Sequence, residues 1–290
     1  LDAQVTLLRA VNRDSEDVQS RAVDPLSWHM RKSEAEAYLS NVAERFQEAN
    51  LTAHQVVAEG NAAGRIINYA RDKDVDLVII SSHGQSGLSE WNINSVVQKV
   101  ILRAYTPTLI VRAYERVTEE LTELSYDRLM VPLDGSKRAE CVLPWARNLA
   151  GFHHCKLLLT HVVRKPEVPR RAPLTGEESE LVERLTALNR EEGEQYLKGL
   201  GDRLSLEVET RLVVSDSPAA ALHALVEEES IDMVLLAAHG YSGGAQWPYG
   251  SIALNFIAYG SKPLLIMQDI SAEEAGVTPA ERAASEYKGH

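Results

Sequence analysis

At 290 residues the chain has room for about two domains of ordinary size, and its 44% hydrophobic content can supply a core to each. A formal net charge of −12, without any block of Lys and Arg, excludes a sequence-independent grip on nucleic acid phosphates, which needs basic surface. No apolar run reaches the length of a membrane span, no signal peptide is visible, and two cysteines, Cys141 and Cys155, cannot form a disulfide framework. These features predict a cytoplasmic protein with neither a nucleic acid nor a membrane partner.

In chain order the pattern alternates strands with helices. "QVTLLRAV" (4–11) reads as a strand, and a helix follows over roughly Leu26 to Ala49. The alternating "TAHQVVAEG" (52–60) is a second strand, and Ile66, Ile67 and Ala70 recur at helical spacing. "VDLVII" and "PTLIVRA" are short, continuous apolar runs of the kind buried on both faces of a parallel sheet. A charged segment then leads to "RLMVPLDGSKRAECVLPWARNLA" (128–150), which reads as strand, turn and helix. Next come the strand "KLLLTHVV" (156–163), a helix from roughly Glu177 to Arg203, and the strand "LEVETRLVV" (206–214). A further helix, "IDMVLLAAHG", a glycine-rich turn and "IALNFIAYGSKPLLIM" complete the ordered part, and the polar, Ala- and Glu-rich residues 271–290 are expected to be a mobile tail. "HHC" at His153 to Cys155 lacks a second cluster at zinc spacing and reads as a loop entering a strand.

The chain repeats itself. An offset of 156 residues sets "AGRIINYARDKDVDLVIISSHG" (63–84) on "AAALHALVEEESIDMVLLAAHG" (219–240) without a gap, Ser95 on Ser251, Pro107 on Pro263, and "LIV" (109–111) on "LIM" (265–267). Strands alternating with helices imply βαβ units, so each copy is expected to be an open parallel-sheet α/β sandwich. The predicted domains are 1–115 and 126–270. Repeat two alone carries the strand, Asp-Gly-Ser turn and helix of 128–150. The comparison therefore predicts roughly thirty residues ahead of Leu1 that would supply the same unit to repeat one. Without it, repeat one lacks its first strand and helix.

"AAHGYSGGAQWPYGS" (237–251) places four glycines, other small residues and a Pro between a buried strand and a helix. Glycine there can serve either a tight turn or the close approach of backbone to a ligand, and Ser251 can simply cap a helix. In a doubly wound sheet, ligands bind beyond the carboxyl ends of strands where the strand order reverses. In repeat two, "VPLDGS" and "AAHGYSGG" would meet at such a point. A phosphate there could accept from N–H groups around Gly240 and at the helix start near Gly250, Ser251 and Ile252, and Asp134 could accept from ribose hydroxyls. His83 and His239 hold equivalent positions, but no Ser–His–Asp or Cys–His ordering accompanies them, so a role in turn hydrogen bonding is the favoured reading. Trp247 lies within the glycine turn and could cover a ligand, whereas Trp145 sits at helical spacing and reads as core.

"VPLDGS", the "THVV" strand, and Ala-Ala-His239-Gly240 followed after nine residues by Gly250-Ser251 resemble the universal stress protein family, as a tandem two-domain member. The resemblance implies an adenine nucleotide alpha hydrolase-like sheet of strand order 3-2-1-4-5 in each repeat. It also implies ATP bound in repeat two, with Pro132, Leu133 and Asp134 at the adenosine and Val162 against the base. Gly240, Gly250, Ser251 and the Ile252 amide would be at the phosphates. Ala237 stands where the family's ATP-binding motif has its first glycine. Magnesium would neutralise the triphosphate, since little Lys or Arg is near the turn; Lys137 and Arg138 read as solvated surface charges. In repeat one, Ser81 and Asn94 replace motif glycines, so that copy is expected to bind no ATP. The resemblance implies a stress-response regulatory module with an unidentified protein partner. Its two repeats would form a pseudo-dimer through 108–113 and 264–269, with whole-chain dimerisation slightly favoured. A slow ATPase, a related nucleotide-processing enzyme and a nucleotide-free interaction module are the alternatives. The enzyme reading is weakened by the lack of a catalytic base or Walker-loop Lys.

Overall fold

The computed structural model describes residues 3–12, 25–82, 95–112, 125–166, 173, 175–204, 206–241 and 249–269. His83, Asn94, Trp247 and the tail at 271–290 lie outside the described residues.

The chain divides into two compact units, and they do not follow the repeats. In the first, strands β1 (Val5–Val11) and β2 (Ala53–Glu59) pair in parallel, from Val5 opposite Ala53 to Val11 opposite Glu59. Helix α1 (Pro25–Glu48) buries Ala35, Leu39 and Ala43, which lie four residues apart on one face. Helix α2 (Ala62–Asp72) buries Ala63, Ile67 and Ala70, and helix α3 (Ser95–Ala104) buries Val97, Val100, Ile101 and Ala104. The start of α2 is set by Asn61, whose Oδ1 accepts from Gly64 N–H at 3.1 Å. The bounds read from sequence for β1, α1 and β2 lie within one residue of those observed, and the helical spacing at Ile66, Ile67 and Ala70 falls inside α2.

The second unit holds β3 (Val78–Ser81), β4 (Thr108–Val111), β5 (Arg128–Leu133), α4 (Leu143–His153), β6 (Lys156–Val163), α5 (Gly176–Leu204), β7 (Val208–Val214), α6 (Pro218–Glu228), β8 (Met233–Ala237), α7 (Ser251–Tyr259) and β9 (Leu264–Met267). Its seven strands run β3-β4-β9-β8-β5-β6-β7. Within repeat two this is the expected order 3-2-1-4-5, with β5 central and every pair parallel. Leu129, Met130 and Val131 of β5 are fully buried, which explains why the strand is an unbroken apolar run instead of an alternating one. On one face α4 contributes Leu143, Ala146 and Ala150 and α5 contributes Leu197 and Leu200 to a core with Leu157 and Leu159. Gly193 lets α5 lie close to the sheet: a Cβ there would sit 2.6 Å from Leu212 Cδ1 and 3.0 Å from His161 Cδ2.

Strands β4 and β9 pair antiparallel, Thr108 opposite Ile266 and Ile110 opposite Leu264, so the two apolar edges named in the sequence cover one another. That pairing draws β3 and β4 of repeat one into the sheet of repeat two. The four strands of repeat one therefore do not share a sheet, and β3 has β4 as its only described neighbour. Ile79 of β3 is 63% exposed, whereas Leu235, its equivalent in β8, is 0% exposed because β5 flanks β8 on the other side.

Candidate functional site

Two strand ends of repeat two meet at the reversal of strand order. At the end of β5 the chain turns through Asp134, Gly135 and Ser136. Gly135 has φ +86°, a conformation costly for any residue with a Cβ. Asp134 Oδ1 accepts from Ser136 N–H at 3.0 Å and from its hydroxyl at 2.6 Å, and Ser136 Oγ accepts from Ala139 N–H at 3.1 Å. These bonds fold the turn back into the 3-10 turn at Ala139–Val142 that leads into α4. At the end of β8, Ala238 N–H donates to Met267 O and Ala238 O accepts from Gly250 N–H, both at 2.7 Å. The second bond ties the two ends of the glycine-rich segment together at its neck.

Asp134 also joins the two turns: its Oδ2 accepts from Tyr241 N–H at 2.5 Å. Here the glycine question has its first answer. A Cβ on Gly240 would sit 2.0 Å from Asp134 Oδ2, so this glycine makes room for the carboxylate. Gly250 differs, because a Cβ there would meet only ordinary contacts, the nearest being Ala238 O at 3.5 Å, and its φ of −73° suits any residue. The packing of the described residues does not require glycine at 250.

A pocket opens between these turns. It is lined by Pro132, Leu133, Asp134 and Ala139 at and after the end of β5, Thr160 of β6, Pro218 and Leu222 of α6, Leu236 to Gly240 at the end of β8, and Gly250 to Ala253 at the start of α7. Gly250 is the N-cap of α7 and makes no side-chain capping hydrogen bond, and the first residues of the helix, Ser251, Ile252 and Ala253, line the pocket. Of the nine residues named from sequence, eight (Pro132, Leu133, Asp134, Ala237, Gly240, Gly250, Ser251, Ile252) surround this pocket. Val162 is not among its lining residues. The strand β6 residue that lines it is Thr160, two positions earlier on the same face and completely buried. Sequence reading also passed over Pro218, which starts α6, although Pro at the first helical position is a recognisable signal.

Beneath the pocket His239 Nδ1–H donates to Asp269 Oδ1 at 2.7 Å, and Arg138 Nε–H donates to Asp269 Oδ2 at 2.5 Å. The His239 and Asp269 side chains are 0% and 3% exposed. The turn role read for His239 is thus a buried tie between the end of β8 and the residue just past β9. Arg138 is not a solvated charge, because a nearly buried carboxylate holds it; Lys137 is exposed and pairs with Glu140 at 3.0 Å. Burial pushes the Asp269 carboxyl up, but hydrogen bonds from His239 and Arg138 outweigh it and hold the group below its usual range. A carboxylate with a depressed folded-state pKa stabilises the fold above its unfolded value, about 3.9, and loses that contribution as pH falls through the lower folded value. In urea titrations run below about pH 4, stability of the parent is expected to fall more steeply than that of Asp269→Asn. Parallel acid limbs would contradict the assignment.

Among the described residues no group of three His, Cys, Asp or Glu could hold a metal ion, and His154 serves as the left-handed C-cap of α4 with φ 52°. Trp145 is half-buried and packs against the core of α4 and α5, as its spacing predicted. No helix among the described residues is long and apolar enough to cross a membrane.

Comparison with known proteins fits this geometry. The profile of the universal stress protein family matches residues 1–112 and again 125–268. The chain is a tandem universal stress protein. Its relatives include universal stress protein YxiE of Bacillus subtilis, 38% identical over 81 residues that make up 28% of this chain and 55% of that protein. Another is a universal stress protein of Methanocaldococcus jannaschii, 31% identical over 28% of this chain and 48% of that one. The chain thus spans about half the length of the curated relatives it matches. Among solved structures, a universal stress protein from Archaeoglobus fulgidus covers 92% of this chain and 88% of its own, with a TM-score of 0.64 at 18% identity. A functionally unknown protein from Pseudomonas aeruginosa covers 98% of both chains with a TM-score of 0.59 at 11% identity. At these identities the structural matches speak to the tandem α/β fold of the universal stress protein and to nothing finer.

Proposed function

We propose that this universal stress protein binds an adenine nucleotide, ATP being the ligand implied by its motif, in the pocket of repeat two. In this reading it acts as a cytoplasmic regulatory module and not as an enzyme. The convergence of residues from both turns on one pocket at the strand reversal carries the reading, because doubly wound sheets place ligands at that point. Pro132, Leu222 and Leu236 offer apolar surface to a base, Asp134 an acceptor to ribose hydroxyls, and the amides of Ser251 and Ile252 donors to the first phosphate group. The antiparallel β4–β9 seam would make the two repeats a pseudo-dimer, through which occupancy of repeat two could alter a surface read by a protein partner.

Magnesium fits less well. Asp134 is the one carboxylate among the described residues that line the pocket, and its oxygens already accept three hydrogen bonds. A magnesium ion would therefore arrive on the phosphates of the nucleotide, neutralising them, and not in a cage built by these residues.

Asp134→Ala is expected to weaken nucleotide binding by about 1–3 kcal/mol, the range for a lost hydrogen bond to a charged group. Titration calorimetry, with circular dichroism to verify folding, measures it. Unchanged affinity would remove Asp134 from the site.

A further inference from the structure

We infer that Ser136 is a positioning residue for the sugar: it fills one oxygen of Asp134, so that the carboxylate takes a single ribose hydroxyl on Oδ2 and not the 2′ and 3′ hydroxyls together. The inference rests on the adenine nucleotide reading above and concerns which part of the ribose is read.

Asp134 is exposed at the end of β5, where an unrestrained aspartate side chain would sample several rotamers. Two donors from one residue hold it here. Ser136 N–H reaches Oδ1 at 3.0 Å, and the Ser136 hydroxyl reaches the same oxygen at 2.6 Å. The direction of that hydroxyl follows from its other partner. Ala139 N–H, which can only donate, reaches Ser136 Oγ at 3.1 Å, so the single hydroxyl proton goes to the carboxylate. On the other side Oδ2 accepts from Tyr241 N–H at 2.5 Å, in the space that Gly240 leaves open. The carboxylate is clamped between the two turns.

An ionised carboxylate offers about four lone-pair sites, two on each oxygen. Ser136 takes both on Oδ1 and Tyr241 takes one on Oδ2, which leaves one site, on Oδ2. A bidentate grip on neighbouring hydroxyls needs a free site on each oxygen, and Oδ1 has none to give. One ribose hydroxyl therefore meets a charged acceptor and the other does not. Removing the Ser136 hydroxyl frees a site on Oδ1 and loosens the side chain, so that either hydroxyl, or both, can bind. The turn keeps its backbone bond from Glu140 N–H to Ser136 O at 3.3 Å, and Arg138 stays anchored on Asp269.

The test is calorimetric titration of the whole chain with adenosine, 2′-deoxyadenosine and 3′-deoxyadenosine, repeated on Ser136→Ala and Ser136→Thr. In the parent, one deoxy compound is expected to bind at least about tenfold more weakly than adenosine, because a hydrogen bond to a charged group is lost, and the other within about threefold of it. Ser136→Ala should narrow the gap between the two deoxy compounds to less than about threefold, and Ser136→Thr, which keeps the hydroxyl, should restore it. A purely structural role in the turn would weaken all three ligands of Ser136→Ala by one factor and leave the gap as in the parent, which would overturn the inference. So would a parent that loses affinity for both deoxy compounds equally, or for neither, a result that needs no variant to fold. In each of these cases adenosine still binds, and the nucleotide site of repeat two stands. Binding of none of the three compounds would withdraw the nucleotide reading and this inference together.

Discussion

Replacement of Gly250 by valine is expected to weaken magnesium–ATP binding at least about tenfold while leaving the fold intact. The expectation rests on an asymmetry between the two motif glycines. At Gly240 a side chain collides with Asp134 at 2.0 Å, so a substitution there confounds ligand and protein effects. At Gly250 the backbone is extended, with φ −73° and ψ 167°, and among the described residues a Cβ would meet no atom closer than 3.5 Å. Valine tolerates that backbone, and Gly250 makes no side-chain cap that could be lost. The added methyl groups would therefore narrow the pocket mouth beside the Ser251 and Ile252 amides without unfolding α7. Adenosine, which does not reach those amides in the proposed arrangement, should lose much less. Calorimetry with both ligands and a thermal melt of the variant measure the three quantities. A variant that binds magnesium–ATP as tightly as the parent would refute the placement of phosphate at the start of α7.

Arg112→Leu is expected to destabilise the protein by about 2–4 kcal/mol, through loss of donors to buried carbonyls. Arg112 follows β4 and is only 3% exposed. Its Nη2–H groups donate to Phe256 O at 2.8 Å and Ile257 O at 3.3 Å, Nη1 to Ile257 O at 3.3 Å, and Nε to Lys262 O at 3.3 Å. A guanidinium from repeat one thus donates to carbonyls at the C-terminal end of α7, sharing Phe256 O with the Gly260 N–H at 2.9 Å, where the helix dipole also favours a cation. Gly260 preserves the approach, since a Cβ there would lie 2.6 Å from Phe256 O and 3.0 Å from Arg112 Nη2. Because the other end of α7 lines the pocket, the same substitution should also lower nucleotide affinity. Urea unfolding checks the first effect and calorimetry the second. Stability equal to the parent would show that the carbonyls find other donors.

Strand and helix identities were legible because their apolar spacing is regular. β5 and β6 were read to the residue, and the 156-residue offset pointed to the repeat that the family match then spans twice. Side-chain direction was less legible. Val162 and Thr160 lie on one face of β6, and only the depth of the pocket between β5 and α6 decides that Thr160 lines it. Ion pairing was hidden for another reason: Arg138 and Asp269 are far apart in sequence, joined when β9 ends beside the turn after β5. Their pairing turned a presumed surface charge into part of the support under His239. The compact units were illegible for a topological reason. Apolar "LIV" and "LIM" announced two edges that needed cover, but their pairing attached β3 and β4 to the sheet of repeat two, so sequence repeats and compact units part company.

The central claim, a nucleotide site in repeat two, is tested most directly by mapping amide shifts of the isotopically labelled chain as magnesium–ATP or adenosine is added. The account predicts saturable shifts concentrated at Leu133 to Ser136, at His239 to Tyr241 and at Ser251 to Ala253, with β1, β2 and α1 unmoved. Saturable shifts confined to β1, β2 and α1, or no shift anywhere at millimolar ligand, would contradict it.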